Sequence, residues 1–327
     1  MAARASAAAA AAASVRPEPC RRPRWRKALA PNKHNNAELV ELYPAVYDDE
    51  KKEYRSKKTG LPIQYRVTSV SSVFFPSTFD QDKIIESMAK RRALTGEAMP
   101  SAEALKELWG QKGVEGQDFG SMCHKRIEES ILGIRKWRPT DEREAHAHEL
   151  YKEFTRLASS QGWAPFKVEW TLMIPPIAGR CDCVLARVSE EESTPEILEL
   201  WVIDWKFCKR MSTAPSAPAA LFPFEFYHNT DQNRYALQLN MYSHMIEHGI
   251  ASRIAWRGKV YSGLHVSRRS LVVMHPERKK LKIVDIDRMP YARLKHVWKL
   301  AARNADSPTY PFDRYANRDS SFRRPPS

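Results

Sequence analysis

Three apolar runs follow one another in the middle of the chain: Phe166–Ile174, Ile177–Val188 and Leu198–Phe207. Their length and β-branched content predict three successive strands. Runs this continuously apolar are covered on both faces. A central mixed sheet flanked by helices, an α/β architecture, is the expected arrangement. Charged groups interrupt two of the runs, in Gly179-Arg180-Cys181-Asp182 and in Val202-Ile203-Asp204-Trp205-Lys206. Asp204 and Lys206 are two residues apart, so on a strand they share a face. Burying such groups without partners is expensive. A divalent cation beside the carboxylate, with the lysine against it, offsets that cost most simply. The alternative is a buried structural ion pair.

The flanking segments read as follows. Tyr65–Phe75 mixes β-branched, aromatic and hydroxyl residues and predicts a short strand or extended segment ended by Pro76. Thr78 or Asp80 is a candidate cap for a helix to Thr95, and Ser101–Trp109 predicts another. Ser121–Leu132, stopped by Gly133, predicts a third helix, and Asp141–Gln161 a fourth. An acidic hairpin loop is expected at 190–196 and a Pro-rich loop at 211–223. Asn229–His248 predicts a helix. Strands are expected at Lys259–Val266, Ser270–His275 and Lys282–Asp287, and a final helix at Tyr291–Arg303. The expected domain spans 41–306, between a basic tail at 1–40 and an irregular tail at 307–327.

The formal charge of +14 favours a polyanionic partner, most simply nucleic acid. Six of those surplus charges lie in residues 1–40, so the remainder is still basic by eight. The tail is Ala/Ser/Arg-rich, with seven consecutive alanines at 7–13 and no acid before Glu18. It reads either as an organelle transit peptide or as a low-complexity tail with no address. The five cysteines are too few and too scattered for a disulfide framework, so reduced thiols and an intracellular location are expected. A mitochondrion or other DNA-containing organelle fits the first reading of the tail, and nucleus or cytoplasm the second. Cys181 and Cys183 are expected to be small core side chains facing away from Asp182. No run of 18 apolar residues exists in the chain, so no membrane partner is expected.

Taken in order, Gly179-x-x-Asp182, Asp204-x-Lys206 and Gln238-x-x-x-Tyr242, preceded by His124 on a helix, resemble the PD-(D/E)XK nuclease superfamily. The likeness is greatest to its RecB-like exonuclease branch, which takes in CRISPR-associated spacer nucleases and mitochondrial genome maintenance exonucleases. Thr68-Ser69-Val70 and the Phe119-Gly120…His124…Glu128 stretch are also similar to it. The resemblance covers roughly residues 65–275. It implies a restriction-endonuclease-like core that hydrolyses DNA phosphodiesters with Mg²⁺ or Mn²⁺, in repair, recombination or genome maintenance. His124, Asp182, Asp204 and the Trp205 carbonyl would hold the metal. Lys206 would be the catalytic lysine, with Gln238 and Tyr242 bracing the site or holding the DNA backbone. Glu128 and Glu169 would stand behind the ligands. Lys209, Arg210 and Arg234 are candidate phosphate contacts, and Phe222, Phe224 and Tyr227 candidates for stacking on bases. Arg268-Arg269 and Arg278-Lys279-Lys280 are expected to be solvated. The acid before x-Lys is Asp204 where the family often has Glu. No cysteine follows Cys208, so the iron–sulfur cluster of some relatives is not expected. The implied partner is DNA that is single-stranded or has free ends.

Two rival readings remain. One is a catalytically silent nucleic-acid-binding module on the same fold. The other is a zinc hydrolase using His124, His146 and His148, against which the spacing of His146 and His148 on one helix argues.

Overall fold

The structure, a computed structural model, describes residues 40–76, 81–96, 98–188, 197–208, 211, 220–251 and 254–306. Thr78, Asp80, the loop at 190–196, Lys209, Arg210 and residues 1–39 and 307–327 lie outside the described residues.

The elements in chain order are β1 (Ala45–Asp48), β2 (Glu53–Ser56), β3 (Tyr65–Arg66), α1 (Val67–Phe74), α2 (Gln81–Thr95), α3 (Ala102–Leu132), α4 (Glu142–Ser160), β4 (Ala164–Ile174), β5 (Ile177–Val188), β6 (Ile197–Lys206), α5 (Asp231–Gly249), β7 (Ile254–Trp256), β8 (Lys259–Tyr261), β9 (Gly263–Val273), β10 (Lys282–Asp285) and α6 (Tyr291–Asp306). The expected three consecutive strands form the antiparallel centre of a six-stranded mixed sheet. β6 then pairs in parallel with β9, and β10 closes that edge.

Helices cover both faces of the sheet, as the continuous apolar strands require. On one face α3 and α4 bury Cys123, Ile127, Phe154 and Ala158 against Leu185, Trp201, Ile203 and Trp205. On the other, α1, α5 and α6 bury Val70, Phe74, Leu239, Met245 and Val297 against Val184, Leu200 and Val202. Among the described residues no helix is long and apolar enough to cross a membrane.

Five expectations are corrected. Only Tyr65 and Arg66 are strand; Val67–Phe74 is helix, because Val67, Val70, Val73 and Phe74 fall on one helical face and are buried there. The two helices expected around 101–132 are one of 31 residues, capped by Ser101 and ended by left-handed Gly133. Its glycines look like breaks in sequence, but no proline interrupts it. The strands expected to part near Ser270 are a single β9. Arg269 is buried within it, and Ser270 accepts a hydrogen bond from Trp201 Nε1 at 2.8 Å. Arg268, expected to be solvated, lies over the Trp201 ring and pairs with Asp285. Finally, Cys181 and Cys183 are both buried but lie in opposite halves of the core, so strand alternation slips between them.

Candidate active site

The slip at Asp182 marks a gap in the sheet. One edge of β5 pairs with β4 from Ile177 to Ala186. The other edge pairs with β3 at Ile177 and Ala178 and with β6 only from Cys183 onward. The intervening Gly179-Arg180-Cys181-Asp182 therefore has no ladder partner on that edge. Asp182 Oδ2 fills the gap by accepting the main-chain N–H of Trp205 at 2.8 Å. Directly across from Asp182 in the β4 register stands Glu169, between the Val168↔Cys183 and Trp170↔Cys181 pairs. Its φ of 46° is the left-handed region, uncommon for a residue with a Cβ and typical of functional sites.

His124, from the middle of α3, completes a cluster. One ligating atom from each of His124, Glu169 and Asp182 lies within 4.8 Å of the other two. His124 Nδ1 is 3.5 Å from Asp182 and 3.9 Å from Glu169. An imidazole and two carboxylates from three separate elements are a donor set suited to a divalent cation. Burial opposes a charge on His124, but Asp182 and Glu169 outweigh it and lift its pKa to about 9. Burial also raises the carboxyl of Asp182, against the pull of His124.

Asp204 and Lys206 form the second half of the site. Lys206 Nζ is 2.6 Å from Asp204 Oδ2 and lies 4.0 Å from the centroid of the Tyr235 ring. Burial and the nearby Asp182 carboxylate push Asp204 up to about 6, despite Lys206. Burial would lower the Lys206 ammonium, but Asp204 and the ring hold it charged, with its pKa raised. Asp204 thus faces Lys206 and is not among the three residues whose ligating atoms cluster.

The helix behind the sheet locks this geometry. Gln238 Nε2 donates to Ser71 Oγ of α1 at 3.0 Å, and Tyr242 is buried one turn further along α5. Gly179 explains why the motif needs glycine. A Cβ there would stand 2.7 Å from Val67 Cγ2 and 2.8 Å from Tyr242 Cε1.

The site opens into a cleft of about 1060 Å³, which Asp204 and Gln238 do not line. His124, Glu128, Glu169, Asp182, Trp205, Lys206, Tyr235 and Tyr242 line it. Glu128 is held by Lys125 at 2.8 Å. Arg234 pairs with Asp231 at 2.7 Å and does not line the cleft. His146 meets the Arg278 carbonyl and His148 stacks on Trp137, so neither joins His124, as zinc binding would need. Phe224 is fully buried against Phe74 and Phe75, which removes it as a stacking group.

Sequence reasoning missed two contributions. Arg180 lines the cleft, pairs with Glu169 at 2.8 Å and lies over the Tyr47 ring. Its position beside Asp182 in the same motif was the available signal. The second is the glycine series of α3. Gly113, Gly116 and Gly120 face the cleft at helical spacing, and a Cβ on any of them would touch nothing. Glycine inside a helix costs about 1 kcal/mol relative to alanine, so this bare wall is not explained by close packing.

No protein-family model matches the chain, and no curated protein matches it in sequence. Among the solved structures it resembles are two of weak likeness. The phage-related exonuclease from Haemophilus somnus 129PT is 11% identical, with a TM-score of 0.28, over 80% of this chain and 96% of that one. SSO0001 is also 11% identical, with a TM-score of 0.23, over 58% of this chain and 75% of that one.

Proposed function

We propose that this protein is a Mg²⁺- or Mn²⁺-dependent deoxyribonuclease acting on single-stranded or free DNA ends. The observation that carries the reading is the convergence of His124, Glu169 and Asp182 from α3, β4 and β5, beside the buried Lys206–Asp204 pair. His124, Glu169 and Asp182 would hold the cation, with Asp204 and the Trp205 carbonyl as further candidate ligands. A divalent cation bound there supplies Lewis-acid stabilisation of phosphoryl charge and acidifies water.

The protein's own residues supply the rest. Charge matching favours an anionic substrate. Without metal, His124, Arg180 and Lys206 balance Glu169, Asp182 and Asp204. With a dication in place of the His124 proton and one phosphodiester bound, the formal charge returns to zero. Lys206, fixed between Asp204 and the Tyr235 ring, orients the attacking water and meets phosphate charge. Trp205 fixes Asp182 through its N–H, so the carboxylate is preset rather than reorganised. The basic surplus of the chain draws in the polyanion. Roles in repair, recombination or genome maintenance follow from the resemblance alone.

The test is cleavage of end-labelled single- and double-stranded DNA with Mg²⁺, Mn²⁺ or EDTA, by wild type and Lys206→Ala. Cutting that needs metal and is lost in the variant supports the reading, and the product ladder gives polarity. Tight DNA binding without cutting under any metal overturns it in favour of a silent binding module.

A further inference from the structure

The loop that leads into α5 carries two rings that the fold leaves outside. Phe222 is 61% exposed and Phe226 is 81% exposed. Their neighbour Phe224 is fully buried and anchors the loop to α1, as does the Leu221 N–H donating to the Phe74 carbonyl at 2.9 Å. The exposed rings are therefore held in place by a buried one. Side chains of α6 meet them. His296 packs edge-on to Phe222 at 4.8 Å between centroids. The Arg293 guanidinium lies 5.5 Å from the Phe226 centroid and 5.2 Å from that of Tyr227. Among the described residues no carboxylate pairs with Arg293. Lys299 and Arg303 continue the His296 stripe at helical spacing, and α6 contains a single acid, Asp306. Glu225 is the one acid of the described loop.

Two elements of this surface, α1 and α5, also reach the cleft. α1 begins at the cleft wall with Thr68 and ends at Phe74 under the loop. That separation is about 9 Å along the helix axis. The loop's other end runs into α5, whose Tyr235 lines the cleft.

We infer that Phe222 and Phe226, framed by Arg293, His296, Lys299 and Arg303, form a docking surface for a single strand of nucleic acid that extends beyond the cleft. Exposed rings offer π-faces to unpaired bases, and the flanking cations follow the phosphates. A duplex keeps its bases stacked on one another and cannot use the rings. The inference rests on the proposed function for the identity of the polymer and deepens it by locating a second contact.

Anisotropy of labelled oligothymidylates of roughly 6 and roughly 20 nucleotides, measured in EDTA so that nothing is cut, tests it. For Phe222→Ala/Phe226→Ala we expect about tenfold or greater loss of affinity for the longer strand, little change for the shorter, and an unchanged Tm. Phe222→Trp/Phe226→Trp, which keeps flat rings, should bind as wild type. Equal binding of the longer strand by wild type and the alanine variant overturns the inference and points to a different partner. So does failure of wild type to bind either strand. Reduced binding by the alanine variant, where wild type cuts DNA under none of the metals, would sink the nuclease reading and leave this surface standing. Normal cutting with unchanged binding would do the reverse.

Discussion

Lys206 Nζ and Asp204 Oδ2 lie 2.6 Å apart on the same face of one strand, both largely buried. Each makes the other's burial tolerable, since an ion alone at this depth is strongly disfavoured. Lys206→Met should lower DNA cleavage by about 10²–10⁴-fold if the lysine takes part in proton transfer or charge stabilisation. It should also destabilise the fold by roughly 3 kcal/mol at pH 8, where Asp204 is left charged and unpaired. At pH 5 the Asp204 carboxyl, which lies at about 6 with Lys206 present and rises further without it, is protonated and the loss should shrink. Urea unfolding at the two pH values measures this. Equal loss at both would show that the pair is not what stabilises the site.

Gly179 is the point where three elements meet. The atoms facing its missing Cβ belong to stiff or buried groups, Val67 and the Tyr242 ring. Gly179→Ala should therefore cost about 1–3 kcal/mol by overpacking, read as a lower urea midpoint. Cleavage should fall further than stability, because the ring that yields is next to Asp182. A variant as stable and as active as wild type would show that α1 and α5 adjust freely.

Glu144 is fully buried at the start of α4. It accepts hydrogen bonds from Trp137 Nε1, Thr140 N and Thr140 Oγ1, each at 2.7 Å, with Arg126 at 3.3 Å. Burial opposes its charge, but these donors win and lower its pKa. Because the folded value is depressed, the stabilisation is present above the unfolded carboxylate range and is lost as pH falls through the folded value. Glu144→Gln, whose amide cannot accept at both positions, should cost about 2 kcal/mol at neutral pH. Thermal unfolding at pH 7 checks it, and an unchanged Tm contradicts it.

His244 is buried among His248, Tyr291 and Trp298, with Arg288 nearby. Burial first, then His248 and Arg288, lowers its pKa to about 4. The unfolded chain takes up this proton near pH 6.5, and the folded one only near 4. The unfolded state thus binds more protons between those values. Stability should be full above pH 6.5 and fall as pH drops to 4, by up to about 3 kcal/mol. His244→Leu should flatten that slope in urea titrations at pH 5 and 7. The same slope in both proteins would clear His244 of responsibility.

How far the fold was legible follows from these residues. The strands around Asp182 and Asp204 were readable because fully covered strands are continuously apolar and charges stand out in them. Helix α1 was not, because Val67–Phe74 is β-branched and aromatic and only its contacts with α5 and β5 make it helical. Gly110, Gly113, Gly116 and Gly120 hid the continuity of α3, since local propensity opposes helix there. Within the site, Asp182 and Lys206 carry their own signals. Glu169 stood out only weakly, because register and a left-handed backbone, neither visible in a sequence, bring it opposite Asp182. The basic segment Arg268-Arg269 misled because charge alone does not distinguish a solvated arginine from one stacked on a buried tryptophan.

The central claim is that side chains from α3, β4 and β5 hold a divalent cation, and calorimetric titration of the metal-free protein with Mn²⁺ tests it most directly. The account predicts a saturable site in wild type whose affinity drops at least about tenfold in Asp182→Ala and again in His124→Ala/Asp182→Ala. Indistinguishable Mn²⁺ binding in all three proteins, or none in wild type, would contradict it.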